Sequence, residues 1–476
     1  MIRPPSRLSH LYRWRYLRWA LAIPALPLAL WACNSHPLEA PIPLPEQQND
    51  QYYEVNPIRD IDILFMIDNS PSMEQEQNNL GRNFPAFIDE LKKIPGGLPS
   101  VHIGVISSDL GAGSTALAGG CGRVTGDRGV LQVKANCGIT GADKFLKSEP
   151  NGTANPTVNF TGDLGTVFSC MAKLGVTGCG YEHQLQSTRF ALYESITPDN
   201  KGFLRENAFL AIIFITDEDD CSAELASNLF TDDATFAGTT ASFRCAQVGH
   251  VCNGMSPPIG PFNTSLADCD SNENGRLIKV QDAVNSIRMV KPRPDQQIIV
   301  SGIFGWPNDL AGAQYRYFMS GNDIEYAPIC ESDNGQATAA LRMKKFVESF
   351  GTSGSFFPIC QNDFRPAMKQ IGEKLAAKLG NPCISAPLID TKPEAGIQAD
   401  CDVVDQIPDG TSFTNTRLPR CDLGSPPCWR LAADTTCSES GYKIDVDRAG
   451  ILAKPGTQQA IKCLTCANPK DQRCMR

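Results

Sequence analysis

The sequence predicts an α/β fold, a doubly wound and mostly parallel sheet carrying disulfide-stapled insertions, followed by a small cysteine-rich C-terminal module. Four short apolar runs are the first sign: "DILFMID" (62–68), "VHIGVIS" (101–107), "AFLAIIFIT" (208–216) and "QIIVSGIFG" (297–305). Such β-branched, nearly continuous runs belong to strands buried on both faces of a parallel sheet. Helical spacing between them is the second sign, and alternation of the two patterns gives a doubly wound sheet. The third is the cysteine distribution, with ten from Cys121 to Cys360 and eight from Cys383 to Cys474.

Each helix has its own stripe. Met73, Leu80, Phe84, Phe87, Ile88 and Leu91 keep one face after the first run, and Leu277, Val280, Val284 and Ile287 keep one before the last. Leu341, Phe346 and Val347 mark a further helix. Phe364, Met368, Ile371, Leu375 and Leu379 mark another, where Pro366 is tolerable only in the first turn. Segments 110–166 and 221–272 break the alternation; loops of that length are functional or tied down, and their cysteines identify them as stapled insertions.

At 476 residues the chain has room for two or three domains. Residues 1–32 hold five Arg and no acid, then a 14-residue apolar run from Trp19 to Ala32, too short to span a bilayer and suited to a signal peptide. "LWAC" places Cys33 where a bacterial lipoprotein signal has its lipidated cysteine, which that resemblance makes the anchor of an outer-membrane lipoprotein; ordinary secretion with a disulfide-bonded Cys33 is the alternative. Residues 33–57 read as a polar, proline-bearing tether. The α/β domain is expected over 58–381 and the module over 382–476.

Setting Cys33 aside leaves an even 18 cysteines, which suits disulfides in an oxidising compartment. Cys121 with Cys137, Cys170 with Cys179, and Cys330 with Cys360 are the pairs suggested by proximity along the chain. Loss of the leader takes the formal net charge from −9 to −14. That charge opposes binding to nucleic acid or to an anionic membrane surface, so membrane attachment falls to the lipid alone.

Asp68, Ser70 and Ser72 form D-x-S-x-S directly after the first strand. In a doubly wound sheet, ligands bind at that carboxyl edge. One carboxylate and two hydroxyls are hard oxygen ligands suited to Mg²⁺, Ca²⁺ or Mn²⁺. The motif resembles the von Willebrand factor A (VWA) family, whose metal-ion-dependent adhesion site (MIDAS) follows its first strand. A buried strand ending in Thr-Asp supplies another ligand in that family, and "IIFITDEDD" places Asp217 there. The resemblance covers roughly 58–380. Its remaining ligand is a Thr before a helix; in "GVTGCGYEHQL" either Thr177 or Glu182 takes that place, and a Glu would favour Ca²⁺.

Plainer roles compete at each position. Asp68 to Ser72 could simply cap the next helix. Glu218, Asp219 and Asp220 either extend the site, Glu218 as a supporting group, or form an exposed acidic turn, the commoner role of such a run. Asp109 is either a supporting group or a turn-former. Asp400, Asp402 and Asp405 read as surface charge rather than a calcium loop. "CLTC" (463–466) reads as structural disulfide before redox or zinc site. His102 and His183 accompany no hydrolase or phosphate-binding motif, so the chain reads as no enzyme, with a metal-dependent hydrolase as the third reading.

The expected function is therefore that of an envelope lipoprotein holding a protein partner through a divalent cation, in adhesion or assembly, where an acidic side chain of the partner completes the ion's shell. A structural protein with a metal-free interaction domain is the alternative. Replacing Cys33 with Ala is expected to move the mature chain from the membrane pellet to the soluble fraction; continued sedimentation with membranes would rule out the lipid anchor.

Overall fold

The computed structural model describes residues 51–465 apart from 56–59, 95–97, 114–120, 150–155, 195, 225–226, 231–237, 258–263, 309–314, 334, 381–383, 385–386, 392–397, 410–411, 435–439 and 451–456. The leader, Cys33 and most of the expected tether lie outside the described residues. The described residues from Tyr52 onward belong to one compact unit. No helix among the described residues is long and apolar enough to cross a membrane.

A seven-stranded sheet organises this unit. Its strands are β1 (Ile61–Ile67), β2 (Val101–Ser107), β3 (Leu146–Glu149), β4 (Thr157–Val158), β5 (Phe209–Thr216), β6 (Ile298–Phe304) and β7 (Gly354–Pro358). They lie in the order β7-β6-β5-β1-β2-β3-β4. Five of them, β7 to β2 in that order, are mutually parallel. β3 and β4 extend the edge antiparallel, and both come from the first insertion. The fold class expected from the sequence is the one observed.

Alternate residues of each strand feed two cores. Ile63, Phe65, Ile67, Ile213 and Ile215 pack on one face with α1 (Glu74–Lys92), α2 (Leu164–Met171) and α7 (Arg365–Gly380). Leu64, Met66, Ile212 and Phe214 pack on the other with α3 (Gln184–Leu192), α5 (Val280–Arg288) and α6 (Leu341–Glu348). That two-residue period explains why the runs had to be apolar throughout. A further helix, α4 (Ala241–Gly249), belongs to the second insertion. Pro366 sits in the first turn of α7, where its missing N–H is harmless.

Chain order reverses at β1, because β2 lies on one side and β5 on the other. The crevice between the carboxyl ends of β1 and β5 is thus the switch point where doubly wound sheets bind ligands.

All ten cysteines from Cys121 to Cys360 pair with one another. Cys330–Cys360 forms as expected, but the other two suggested pairs exchange partners, giving Cys121–Cys179 and Cys137–Cys170. Spatial position overrides chain proximity: Cys170 rides on α2 and meets Cys137 in a 3₁₀ turn packed beside it. Cys221–Cys245 and Cys252–Cys269 staple the second insertion.

The C-terminal region is built from sheets. Strands Gln51–Val55, Gln458–Thr465, Cys401–Asp409 and Ser412–Leu418 form one sheet in that order, and Cys428–Ala433 pairs with Tyr442–Asp447 in another. Val403, Leu418, Trp429, Ile444 and Ile461 form its core. Cys463 of "CLTC" is bonded to Cys401, its direct cross-strand neighbour. Asp405 is not surface charge: it is buried and bridged by both terminal nitrogens of Arg448 at 2.7 and 2.8 Å.

The acidic run after β5 also departs from the exposed-turn reading, since Asp219 and Asp220 are buried. The reason is geometric. In a parallel α/β sheet, helix N-termini arrive at the carboxyl edge with unpaired N–H groups. Asp219 caps α6, accepting from Arg342 N (2.9 Å) and Met343 N (3.1 Å), and binds His250 Nε2 at 2.7 Å. Asp220 accepts from Leu185 N of α3 at 3.0 Å and pairs with the fully buried Arg342 guanidinium at 3.0 Å. Breaking a buried pair from one side strands the remaining charge. Arg342→Ala is therefore expected to lower unfolding stability by about 3–5 kcal/mol in urea titrations; a loss below about 1 kcal/mol would show that the pair is dispensable.

Candidate cation site at the carboxyl edge of the sheet

Asp68 leaves β1 with its N–H bonded to Ile215 O of β5 at 2.9 Å, so the two strand ends are clamped together. Its carboxylate is fully buried and held from three directions. Oδ1 accepts from Ser70 N (2.9 Å) and Ser108 Oγ (3.0 Å), and Oδ2 accepts from Thr216 Oγ1 (2.8 Å). Ser70 Oγ lies 3.2 Å from Ser72 Oγ, which brings both hydroxyls of the motif together on the loop. Gln77 of α1 fixes the loop from below, donating to Asp68 O (2.9 Å) and to Gly175 O (3.0 Å).

The 175–182 segment forms the next wall. Gly178 N donates to Asn69 O at 2.8 Å, and a Cβ at Gly178 would stand 2.2 Å from Asn69 Oδ1. Only glycine fits there. Thr177 is exposed, whereas Glu182 is 1% exposed. Of the two alternatives, Glu182 is the one drawn into the buried charge cluster.

Asp217, at the end of β5, is 2% exposed, and its Oδ1 has no hydrogen-bond partner. Glu182 Oε1 and Glu76 Oε2 are likewise buried without a partner. Glu218 is partly buried, and both its oxygens lie 2.8 Å from Ser242 Oγ of α4.

Electrostatics follow from this crowding. Burial raises the pKa of Asp68, although its hydrogen bonds oppose the shift. Burial, then repulsion from Glu218, Asp68 and Asp217, holds Glu182 well above the usual carboxylate range. Asp217 is raised well above it by burial, Asp68 and Glu218. Burial pushes Glu76 and Glu218 each to about 7. Among the described residues, the largest influences on these five carboxyls are burial, hydrogen bonds and other carboxylates. Protons or a bound cation are the two ways to offset such charge.

Asp109 stands apart. Its Oδ1 accepts from Gly111 N and its Oδ2 from Arg123 Nη2, both at 2.8 Å, so it organises the loop after β2. The neighbour Ser108 makes the contact with Asp68 instead. His183 is buried, its pKa lowered to about 4 by burial, and Nε2 lies 3.1 Å from Gly111 O. Ser108, Gln77 and Thr216 are site contacts that the motif did not single out, and Glu76 adds a buried charge that acts on Asp217. Thr216 alone carried a sequence signal, as the Thr of the strand-terminal Thr-Asp.

Among the described residues, no three or more His, Cys, Asp and Glu side chains are arranged as a metal-binding group. A cation here would accordingly draw on the Ser70 and Ser72 hydroxyls as well as carboxylates. The partnerless oxygens of Asp217 and Glu182 fit such an ion chemically.

No protein-family model matches the chain. No curated protein matches it either. Solved structures similar to it include a von Willebrand factor type A protein from Catenulispora acidiphila, at 10% identity and TM-score 0.29, covering 88% of this chain and 66% of that one. Another is the open conformation of the pilus adhesin SpaC from Lactobacillus rhamnosus GG, at 11% identity and TM-score 0.31, covering 86% and 39%. A third is the pilus adhesin RrgA from Streptococcus pneumoniae, at 10% identity and TM-score 0.29, covering 88% and 58%. The chain spans less than two thirds of each of these proteins, and at such scores the likeness assigns no family.

Proposed function

We propose that this chain is a cell-envelope lipoprotein whose α/β domain binds a protein partner through a divalent cation, in adhesion or assembly. Asp68, Ser70, Ser72, Asp217 and Glu182 would hold the ion, with Glu218 beside them. The observation that carries the reading is the pair of buried, partnerless carboxylate oxygens on Asp217 and Glu182, beside the clustered hydroxyls of the D-x-S-x-S loop. A bound Mg²⁺ or Ca²⁺, or Mn²⁺ in their place, supplies positive charge that compensates these groups and attracts an acidic side chain of the partner. The protein's own part is to fix the ligands: Ser108 and Thr216 orient Asp68, Gln77 fixes the loop, and Gly178 lets the opposing segment approach. Resemblance of the motif to the VWA family supports the same reading.

A second reading, a metal-free interaction domain, draws support from the absence of a three-carboxylate metal group among the described residues. Thermal melts separate the two. An ion that binds only the native state stabilises it by about 2.7 kcal/mol at a hundredfold excess over its dissociation constant. Millimolar Ca²⁺ or Mg²⁺ added to chelated protein is expected to raise Tm, and Asp68→Ala is expected to abolish the rise. No shift with any of the three ions would favour the metal-free domain.

The metal-free state also carries a pH signature. Glu76 and Glu218 titrate near 7 when folded and near the ordinary 4.5 when unfolded. Between those values the folded state binds more protons than the unfolded one, so stability falls as pH rises from about 4.5 to about 7. In chelator, Tm is expected to be lower at pH 7.5 than at pH 5.5, and saturating Ca²⁺ is expected to flatten the slope. A Tm that climbs across this interval in chelator would contradict the assignment of uncompensated charge.

A further inference from the structure

Gln51–Val55 falls inside the segment expected from the sequence to be tether, yet it is a strand. Its composition suits one, since Tyr52, Tyr53 and Val55 favour a pleated backbone. It pairs with Gln458–Thr465 of the C-terminal sheet. In chain order the whole α/β domain is therefore inserted between two neighbouring strands of that sheet. The receiving strand is itself locked. Cys463 stands directly opposite Cys401 in the register and is bonded to it. Leu464 N donates to Asp400 O at 2.8 Å, and Ile461 and Cys463 lie in the module's core.

Both connections between the module and the α/β domain leave from the amino edge of the main sheet. Asp60 is fixed there by Phe209 N, which donates to its carbonyl at 2.8 Å, and Ile61 N donates to Ser100 O at 2.9 Å. At the other connection Lys378, in the last turn of α7, reaches the carbonyl of Asp295 just before β6. Shortly after α7 ends at Gly380, Ile384 is already in the module's core, its N–H bonded to Tyr442 O at 3.0 Å. These connections and the candidate cation site lie at opposite edges of the sheet.

We infer that the C-terminal module is a mechanical clamp: it holds Gln51–Val55 as a strand, so that tension arriving from the N-terminal side is borne there before it reaches β1 and Asp68. Stripping a strand from a sheet breaks its backbone hydrogen bonds together, and the Cys401–Cys463 bridge keeps the receiving strand from yielding first. Without the clamp a pull would act directly on Asp60 and β1, whose far end carries Asp68. The device works whether or not that site takes a cation.

Pulling single full-length chains in optical tweezers, with peptide-tag handles at the two chain ends, tests this. A first opening step of up to about 35 Å, the extended length of residues 51–60, is expected before the larger unfolding of the α/β domain. Adjacent N–H groups of a strand point to opposite sides, so the double variant Tyr52→Pro with Tyr53→Pro removes a donor that faces the neighbouring strand. It is expected to lose the first step and to unfold the α/β domain at lower force. Absence of the step in the wild-type chain would overturn the inference, as would an identical trace from the variant. Hydrogen exchange gives a reading that needs no variant: the wild-type amides of Tyr52–Val55 are expected to exchange at least about tenfold more slowly than an unstructured chain, and coil-like exchange would overturn the clamp.

Discussion

Five carboxyl groups near the carboxyl ends of β1 and β5, raised above the ordinary carboxylate range chiefly by burial and, for four of them, by a neighbouring carboxylate, set the terms for the rest of the domain. Removing a carboxylate from water is expensive, and doing so beside others more so. A sheet edge can tolerate that only if its walls are fixed independently of the charge. Both apolar cores provide part of the rigidity: Phe65 and Ile67 of β1 sink into one, Leu64 and Met66 into the other. The strand therefore cannot slide to move Asp68 towards water without exposing apolar side chains on one face or the other.

Disulfides fix the remaining walls. Cys121–Cys179 holds the segment whose Gly178 abuts Asn69, Cys221–Cys245 follows the acidic run directly, and Cys330–Cys360 secures the hairpin over Glu76. Cys221 N also donates to Glu182 O at 2.7 Å, linking one staple to the carboxylate wall. In the chain-entropy model a bridge such as Cys121–Cys179, spanning 58 residues, contributes roughly 4 kcal/mol by restricting the unfolded chain. The long insertions thus do more than decorate the sheet. They are the means by which distant loops reach its edge and stay there.

The sheet was legible because a strand buried on both faces must be apolar throughout, and four runs met that demand. Strand Gly354–Pro358 was not, since its residues are only half-buried and its "GSFFP" carries no clear pattern. β3 and β4 were hidden inside an insertion, and their pairing depends on β2 rather than on any local signal. For the site, D-x-S-x-S and Thr-Asp were readable as local motifs at strand ends. Ser108 and Gln77 were not, because their role exists only once α1 and the loop after β2 meet Asp68. The crossed pairing of Cys121, Cys137, Cys170 and Cys179 failed for the same reason: α2 folds back on the insertion, which no spacing along the chain reveals.

The run Thr216 to Asp220 shows how the domain manages acidic charge. Five consecutive residues leave one strand end, yet their environments divide. Asp219 and Asp220 receive backbone N–H groups from α6 and α3 and the buried Arg342, so their charge is matched by built-in donors. Asp217 differs: its Oδ1 has no hydrogen-bond partner, and repulsion from Asp68 and Glu218 adds to its burial, while Glu218 has the Ser242 hydroxyl as its donor. Donors sufficient for neighbouring carboxylates thus exist within a few residues, supplied by the same helices that flank the sheet. Uncompensated polar groups of this kind concentrate where a ligand completes the site, and structural carboxylates look like Asp219 and Asp220 instead. The contrast within a single short segment separates the two roles more sharply than the number of acids does.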